Sequence, residues 1–363
     1  MENNGQVLGT INDVSTTSAP GVLTLLGLRG VGPQTVERLS SRFATLRELR
    51  DGVTSLEGVV PANIVRALRD EPAWIAAHDK ASDILDRAER LGVRVLTLAD
   101  AEYPHHLRVI PDRPLVIYVR GRLPPSLRCV ACIGTREPSV FGAKVAERIA
   151  GLLAERGWSI VSGLALGVDT ISHEAALAAH GHTVAVLANG LDSVYPKQNA
   201  ALAARILDNG GAWLSEQPFG TPAIGRNLVH RDRLQSGMSI ATIVMQTDVV
   251  GGSMHTVRYT LMQGRLLVAP VPPGAHAEEP KSRGIVALTQ KTGADLSRLV
   301  EAQGAYAELL TQKYARSPVA FPLAGRDEYG QFLNLLESML AEGQRPSGTS
   351  VVQSAPQLGL SLN

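Results

Sequence analysis

CIGTREPSVFG, residues 132–142, decides the fold. It closes the apolar run SLRCVACI and opens onto AKVAERIAGLLAERG, where Val145, Ile149, Leu152 and Leu153 recur at helical spacing. A strand that enters a helix through Gly, Thr, Arg and Pro offers backbone N–H groups and a helix N-terminus to an anion. The same unit then repeats. SIVSG, TVAVLANG, AWLSE, SIATIVMQT and RLLVAP read as strands, and helical patterns such as VDTISHEAALAAHG and KQNAALAARILDNGG separate them. Alternation of this length predicts an α/β fold, an extended Rossmann-like, open and mainly parallel sheet over residues 128–300.

Outward from that domain, residues 73–127 read as a connecting helix and a strand extension with the pieces VRVLTL and LVIYVRG. Residues 19–72 read as a small helical unit of helix-hairpin-helix or SAM-like type. In it, GLRGVGPQTVERL places Gly30 and Gly32 in a turn and Pro33 at the start of a helix, so the hairpin backbone can approach a DNA phosphate. Residues 301–343 read as a short helical segment, with SRLVEAQGAYAELLTQKYA as one helical stretch leading into it. Residues 1–18 and 344–363 are polar and without period, and read as disordered tails.

Composition excludes several classes. The 363 residues carry a net charge of +1, so any nucleic-acid site must be a local patch. No apolar run approaches the roughly 18 residues of a membrane span, and the N-terminus lacks the features of a signal peptide. A cytoplasmic protein without membrane partners is expected. The two cysteines, Cys129 and Cys132, stand three apart in a strand, so they point to opposite sheet faces and read as packing. His173, His180 and His182 lack the HExxH spacing of a zinc site, so no metal is expected.

Ligands of such sheets bind beyond the carboxyl ends of the strands. Those ends are GTREPS (134–139), SGLALGVD (162–169), ANGLDSVYPKQN (188–199), SEQPFG (215–220) and TDVVGGSMHT (247–256). Arg136 and Lys197 lie on two of these loops, and Arg226, Arg231 and Arg233 supply a further basic source. The chain lacks GxxxxGK[ST], which removes P-loop hydrolysis. It also lacks GxGxxG and the acidic residue that would hold a ribose after the second strand, which disfavours NAD. No cofactor is expected. Two ligand classes remain: a nucleic-acid backbone, or a nucleotide held by Arg136 with Glu216 as acid/base or ribose contact.

These loops in this order resemble the DprA/Smf family, the DNA-processing proteins of bacterial transformation. The resemblance rests on YPHHL (103–107), PLVIYVRG (114–121), IGTREPSVFG (133–142) and IVSGLALGVDTISHEAAL (160–177). It continues through TVAVLANGLDSVYPKQN (183–199), LSEQPFG (214–220), HRDRLQSGMS (230–239) and GGSMHT (251–256). The resemblance implies single-stranded DNA bound in a basic pocket, no enzymatic activity, a homodimer, and a RecA-type recombinase as partner. It implies that Arg136 and Lys197 contact DNA and that Gly134, Thr135, Ser162, Gly163, Gly190, Asn199 and Ser253 line the pocket, with Gly252 in the same loop as Ser253. It departs from the family at Asp232, where Asn is usual, at Gln246, where Glu is usual, and at Leu166, where a basic residue is common. The family's frequent C-terminal winged helix has no counterpart pattern in residues 297–343.

Overall fold

The computed structural model describes residues 13–343. Its nine strands form one sheet in the order β1-β2-β6-β5-β4-β3-β7-β8-β9. They are β1 Val93–Thr97, β2 Val116–Gly121, β3 Cys129–Ile133, β4 Ser159–Ser162, β5 Thr183–Val186, β6 Ala212–Ser215, β7 Ala241–Val244, β8 Leu266–Pro270 and β9 Phe321–Leu323. β3 to β9 run parallel, and β2 alone opposes them, pairing antiparallel with both β1 and β6. The fold is therefore the mainly parallel α/β sheet that the alternating pattern predicts.

β3 to β7 are buried end to end, which is why their sequences are continuous apolar runs. On one face, Val130 and Cys132 pack against Ala146 and Ile149 of the helix Val140–Glu155. On the other, Ile133 and Val244 pack against Val257 and Leu261 of the helix Ser253–Met262. Cys129 belongs to the core that includes Val161 and Leu214. The two thiols thus face opposite sides, both buried and free, and burial pushes the Cys129 thiol up to about 12.

Three expectations about extent change. Residues 13–18 do not form a tail: Ser15 pairs with Thr45, Thr16 N donates to the Ala44 carbonyl at 3.0 Å, and Ser18 caps the helix Ala19–Gly27. The remaining tail residues, 1–12 and 344–363, lie outside those described. The sheet also runs past residue 300. β9 adds at the edge of β8, and the helix Tyr329–Gly343 buries Phe332 and Leu336 in the same core as Cys132. Finally, the helical stretch 297–315 breaks at Glu301, whose φ is +49°, into Gly293–Leu299 and Gly304–Gln312.

The N-terminal unit has the predicted hairpin, with Ala19–Gly27 and Pro33–Ser40 flanking the Gly-Val-Gly turn. Its core merges with that of β2, β5 and β6 through Val116, Tyr118, Ala185 and Trp213. Among the described residues no helix is long and apolar enough to cross a membrane.

Candidate nucleic-acid interface

The helix after β3 and the helix after β7 leave on opposite faces, so the loops between them diverge and a crevice opens at the carboxyl edge. It has two adjoining parts, of about 480 and 230 Å3, which share Arg136, Ala165, Leu228 and Arg231. Gly134, Thr135, Gly252 and Ser253 line the larger part, and Gly163 the smaller.

Arg136 is placed by a loop fastened on two sides. Thr135 donates its N–H to the Gln246 carbonyl at 2.8 Å, and Val168 N donates to the Thr135 carbonyl at 3.1 Å. Gly167, at φ +78°, lies so close that a Cβ there would come within 2.4 Å of the Arg136 carbonyl oxygen. Gln246 accepts from Ser139 N at 2.9 Å through its Oε1, and Ser139 in turn caps the helix Val140–Glu155. The guanidinium of Arg136 is left exposed, with no hydrogen bond or ion pair among the described residues. Lys197 is also exposed and has no ion pair among the described residues; it falls between the lining residues Pro196 and Gln198 but does not itself line either part.

Arg231 behaves differently. Its side chain is 7% exposed and reaches under the loops. Nη1 donates to the Gly163 carbonyl at 2.7 Å and to the Val186 carbonyl, and Nε donates to Asp232 Oδ1 at 3.2 Å. Asp169 completes the knot by accepting from Gly163 N at 3.1 Å and Ala165 N at 3.2 Å. Burial raises the pKa of Asp169, and the Arg231 charge opposes that rise. Gly163 is required there, since a Cβ would stand 2.4 Å from the Arg231 guanidinium.

Several expected contacts are therefore struts. Ser162 is fully buried and donates to the Cys132 carbonyl at 2.7 Å. Asn199 is buried and donates to the Leu164 carbonyl at 2.7 Å and Thr170 Oγ1 at 2.9 Å, steadying Leu164 at φ +62°. Gly190 lets its loop pass the next one, since a Cβ would lie 2.5 Å from the Pro218 carbonyl oxygen. Arg233, Gly30 and Gly32 line a separate cavity beside the helical unit. Glu216 lines it too, paired with Arg233 and with His230 at 2.8 Å, so the acid/base of the nucleotide-cleaving alternative does not share a cavity with Arg136. His173 is buried against Thr183 Oγ1 at 2.7 Å, its pKa lowered to about 3, mainly by burial.

Some lining residues were not among the expected contacts. Leu166 and Tyr195, 40% and 44% exposed, face the smaller part together with Leu228. Lys281 reaches the larger part from beyond β8. Ile224 and Val250, also exposed, adjoin lining residues Gly225 and Gly251. An apolar rim around exposed cations suits a ligand with both bases and phosphates. Asp232 lies in the larger part, its pKa raised to about 6 by burial, with Arg231 opposing and Asp169 adding to the rise.

The model of the DNA recombination-mediator protein A family matches residues 94–307. Protein Smf of Escherichia coli is 39% identical over 185 residues, 50% of this chain and 49% of that protein. DNA processing protein DprA of Bacillus subtilis is 32% identical over 216 residues, 59% of this chain and 71% of that protein. The match thus spans about half the length of the Escherichia coli relative. The X-ray structure of DprA from Streptococcus pneumoniae superposes with a TM-score of 0.58 and 26% identity, covering 76% of this chain and 93% of that one. A structure of DprA from Helicobacter pylori, described for its single-stranded DNA binding mode, gives 0.50 and 25%, covering 69% of this chain and 96% of that one.

Proposed function

The chain belongs to the DNA recombination-mediator protein A family, and on that premise we propose that its crevice holds single-stranded DNA without cleaving it. The observation that carries this is an exposed Arg136 lining both parts of a crevice whose buried Arg231 is already bonded to Gly163, Val186 and Asp232, with the exposed Lys197 between the lining residues Pro196 and Gln198. Phosphates meet the exposed guanidinium, the ammonium and the N-terminus of the helix Ser253–Met262. Bases turn toward Leu166, Tyr195 and Leu228, where one aromatic ring supports stacking worth about 1–3 kcal/mol. The relatives' DNA-processing names and the single-stranded DNA binding mode described for the Helicobacter pylori protein support the same ligand. The proposal includes self-association, a cytoplasmic setting and delivery of the strand to a RecA-type recombinase.

A duplex keeps its bases stacked inside, so it can use the cations but not the apolar pocket. Fluorescence anisotropy on an oligonucleotide and its duplex should show the single strand binding roughly tenfold or more tightly, the weight of one stacked base. Equal affinities, or no binding to either, would overturn the proposal.

Asp232 makes the affinity depend on pH. Its folded pKa of about 6 lies above the ordinary carboxylate value of 3.8, so the folded state takes up its proton first as pH falls. Stability therefore gains from this group as pH falls from about 6 toward 4, and loses that gain as pH rises again. The crevice also sheds a negative charge, so strand affinity rises over the same window. Asp232→Asn should bind more tightly than the native chain at pH 7.5, by roughly tenfold at low salt. The two should converge near pH 5. A constant ratio across that range would show that Asp232 does not face the bound strand.

A further inference from the structure

After β8 the chain passes beside the larger part of the crevice as a strap of two short 3-10 turns, Gly274–Glu278 and Pro280–Ser282. No residue of the first turn is buried, so apolar burial does not fix the strap. Its anchors are polar or aromatic, and they meet the segment that carries Arg136. The His276 ring stacks on Phe141, in the first turn of the helix Val140–Glu155, with centroids 4.7 Å apart. Gly284 N donates to the Thr247 carbonyl at 2.9 Å, and a Cβ at Gly284 would stand 2.6 Å from that oxygen.

Gln246 joins the two segments. It is 1% exposed, its main-chain carbonyl accepts from Thr135 N, and its Oε1 accepts from Ser139 N. Its Nε2 stands 2.9 Å from Ser139 Oγ and 3.1 Å from both Glu279 Oε2 and Ser282 Oγ. A Cβ at Gly142 would come within 2.1 Å of Gln246 Oε1, so glycine admits the side chain. What the strap brings to the crevice is Lys281, which lines the larger part with Arg136 and Ser253. The Lys281 side chain is 42% exposed and its partner Glu137, at 3.5 Å, is 84% exposed. An ion pair so open to water holds the ammonium weakly, and a phosphate can take the carboxylate's place.

We propose, on the reading that the crevice holds single-stranded DNA, that Lys281 is a third phosphate contact and that Gln246 positions it by tying the strap to the Arg136 loop. The phosphate path then extends through the larger part of the crevice to the strap.

The salt dependence of binding is measured by fluorescence anisotropy with one dT oligonucleotide, for the native full chain and its variants. Lys281→Ala should bind roughly tenfold more weakly at low salt. Its slope of log affinity against log salt should be shallower by about 0.7, the share of one phosphate contact on a single strand, with an unchanged melting temperature. Gln246→Glu keeps the acceptor for Ser139 N but sets a carboxylate against Glu279, which releases the strap. The slope should fall by the same amount with Lys281 still present, and adding Lys281→Ala should change it no further. Gln246→Glu combined with Glu279→Gln exchanges donor and acceptor, and should restore the native slope; a purely structural Gln246 would leave the slope of the folded protein unmoved. Glu279→Ala cuts the same link from the surface without burying a charge, and should give the shallower slope even if Gln246→Glu fails to fold. A native slope in Lys281→Ala overturns the third contact and leaves the crevice reading intact. Native slopes in Gln246→Glu and Glu279→Ala overturn the positioning role. No binding by the native chain overturns the crevice reading itself, and the role of Lys281 with it.

Discussion

Arg231→Met is expected to lower the unfolding free energy by about 3–5 kcal/mol, the cost of leaving buried charges without their partner. Two carbonyls at the ends of β4 and β5, those of Gly163 and Val186, lose their donor. Asp169 and Asp232 lose the cation that opposes their desolvation. Methionine matches much of the volume and none of the charge, so packing loss contributes little. Urea melts should show the deficit at pH 7.5, and it should shrink near pH 5, where the orphaned carboxylates take up protons. Arg136→Ala, at an exposed site, should stay within about 0.5 kcal/mol of the native chain. If Arg231→Met melted like the native chain and lost only DNA affinity, Arg231 would be a contact rather than a strut.

Replacing Arg136 and Lys197 together with alanine should weaken single-strand binding by roughly a hundredfold or more, since each hydrogen bond to a charged group contributes about 1.5–3 kcal/mol. Among the described residues neither side chain has a hydrogen bond or ion pair to give up. Their removal therefore changes the complex and leaves the fold alone, and the double variant should melt with the native chain. Tyr195→Ala is a useful contrast because it removes the stacking surface without touching charge.

The parallel sheet was legible because fully buried strands are continuous apolar runs and their helices carry the 3.6-residue period. Arg136 was legible because a strand-to-helix turn exposes what it carries. Arg231 and Arg233 were not separable by sequence. Two residues apart on one helix, they point to nearly opposite sides, one under the crevice and one into the other cavity. Ser162 looked like a pocket hydroxyl, yet it ends a strand buried at all four positions, and its hydroxyl is used by the Cys132 carbonyl. β9 is three residues with a proline at its centre, too short to show a period. Tyr195 and Leu166 form a pocket only because loops after different strands converge, a proximity no local pattern encodes.

The central claim is that Arg136 and Lys197 neutralise phosphates of a bound single strand. The measurement that tests it most directly is the slope of log affinity against log salt concentration for one oligonucleotide, in the native chain and in the double alanine variant. Each phosphate contact on a single strand contributes a slope of about −0.7, so the variant's line should be shallower by roughly 1.4. Parallel lines would contradict the claim and place the phosphates elsewhere on the protein.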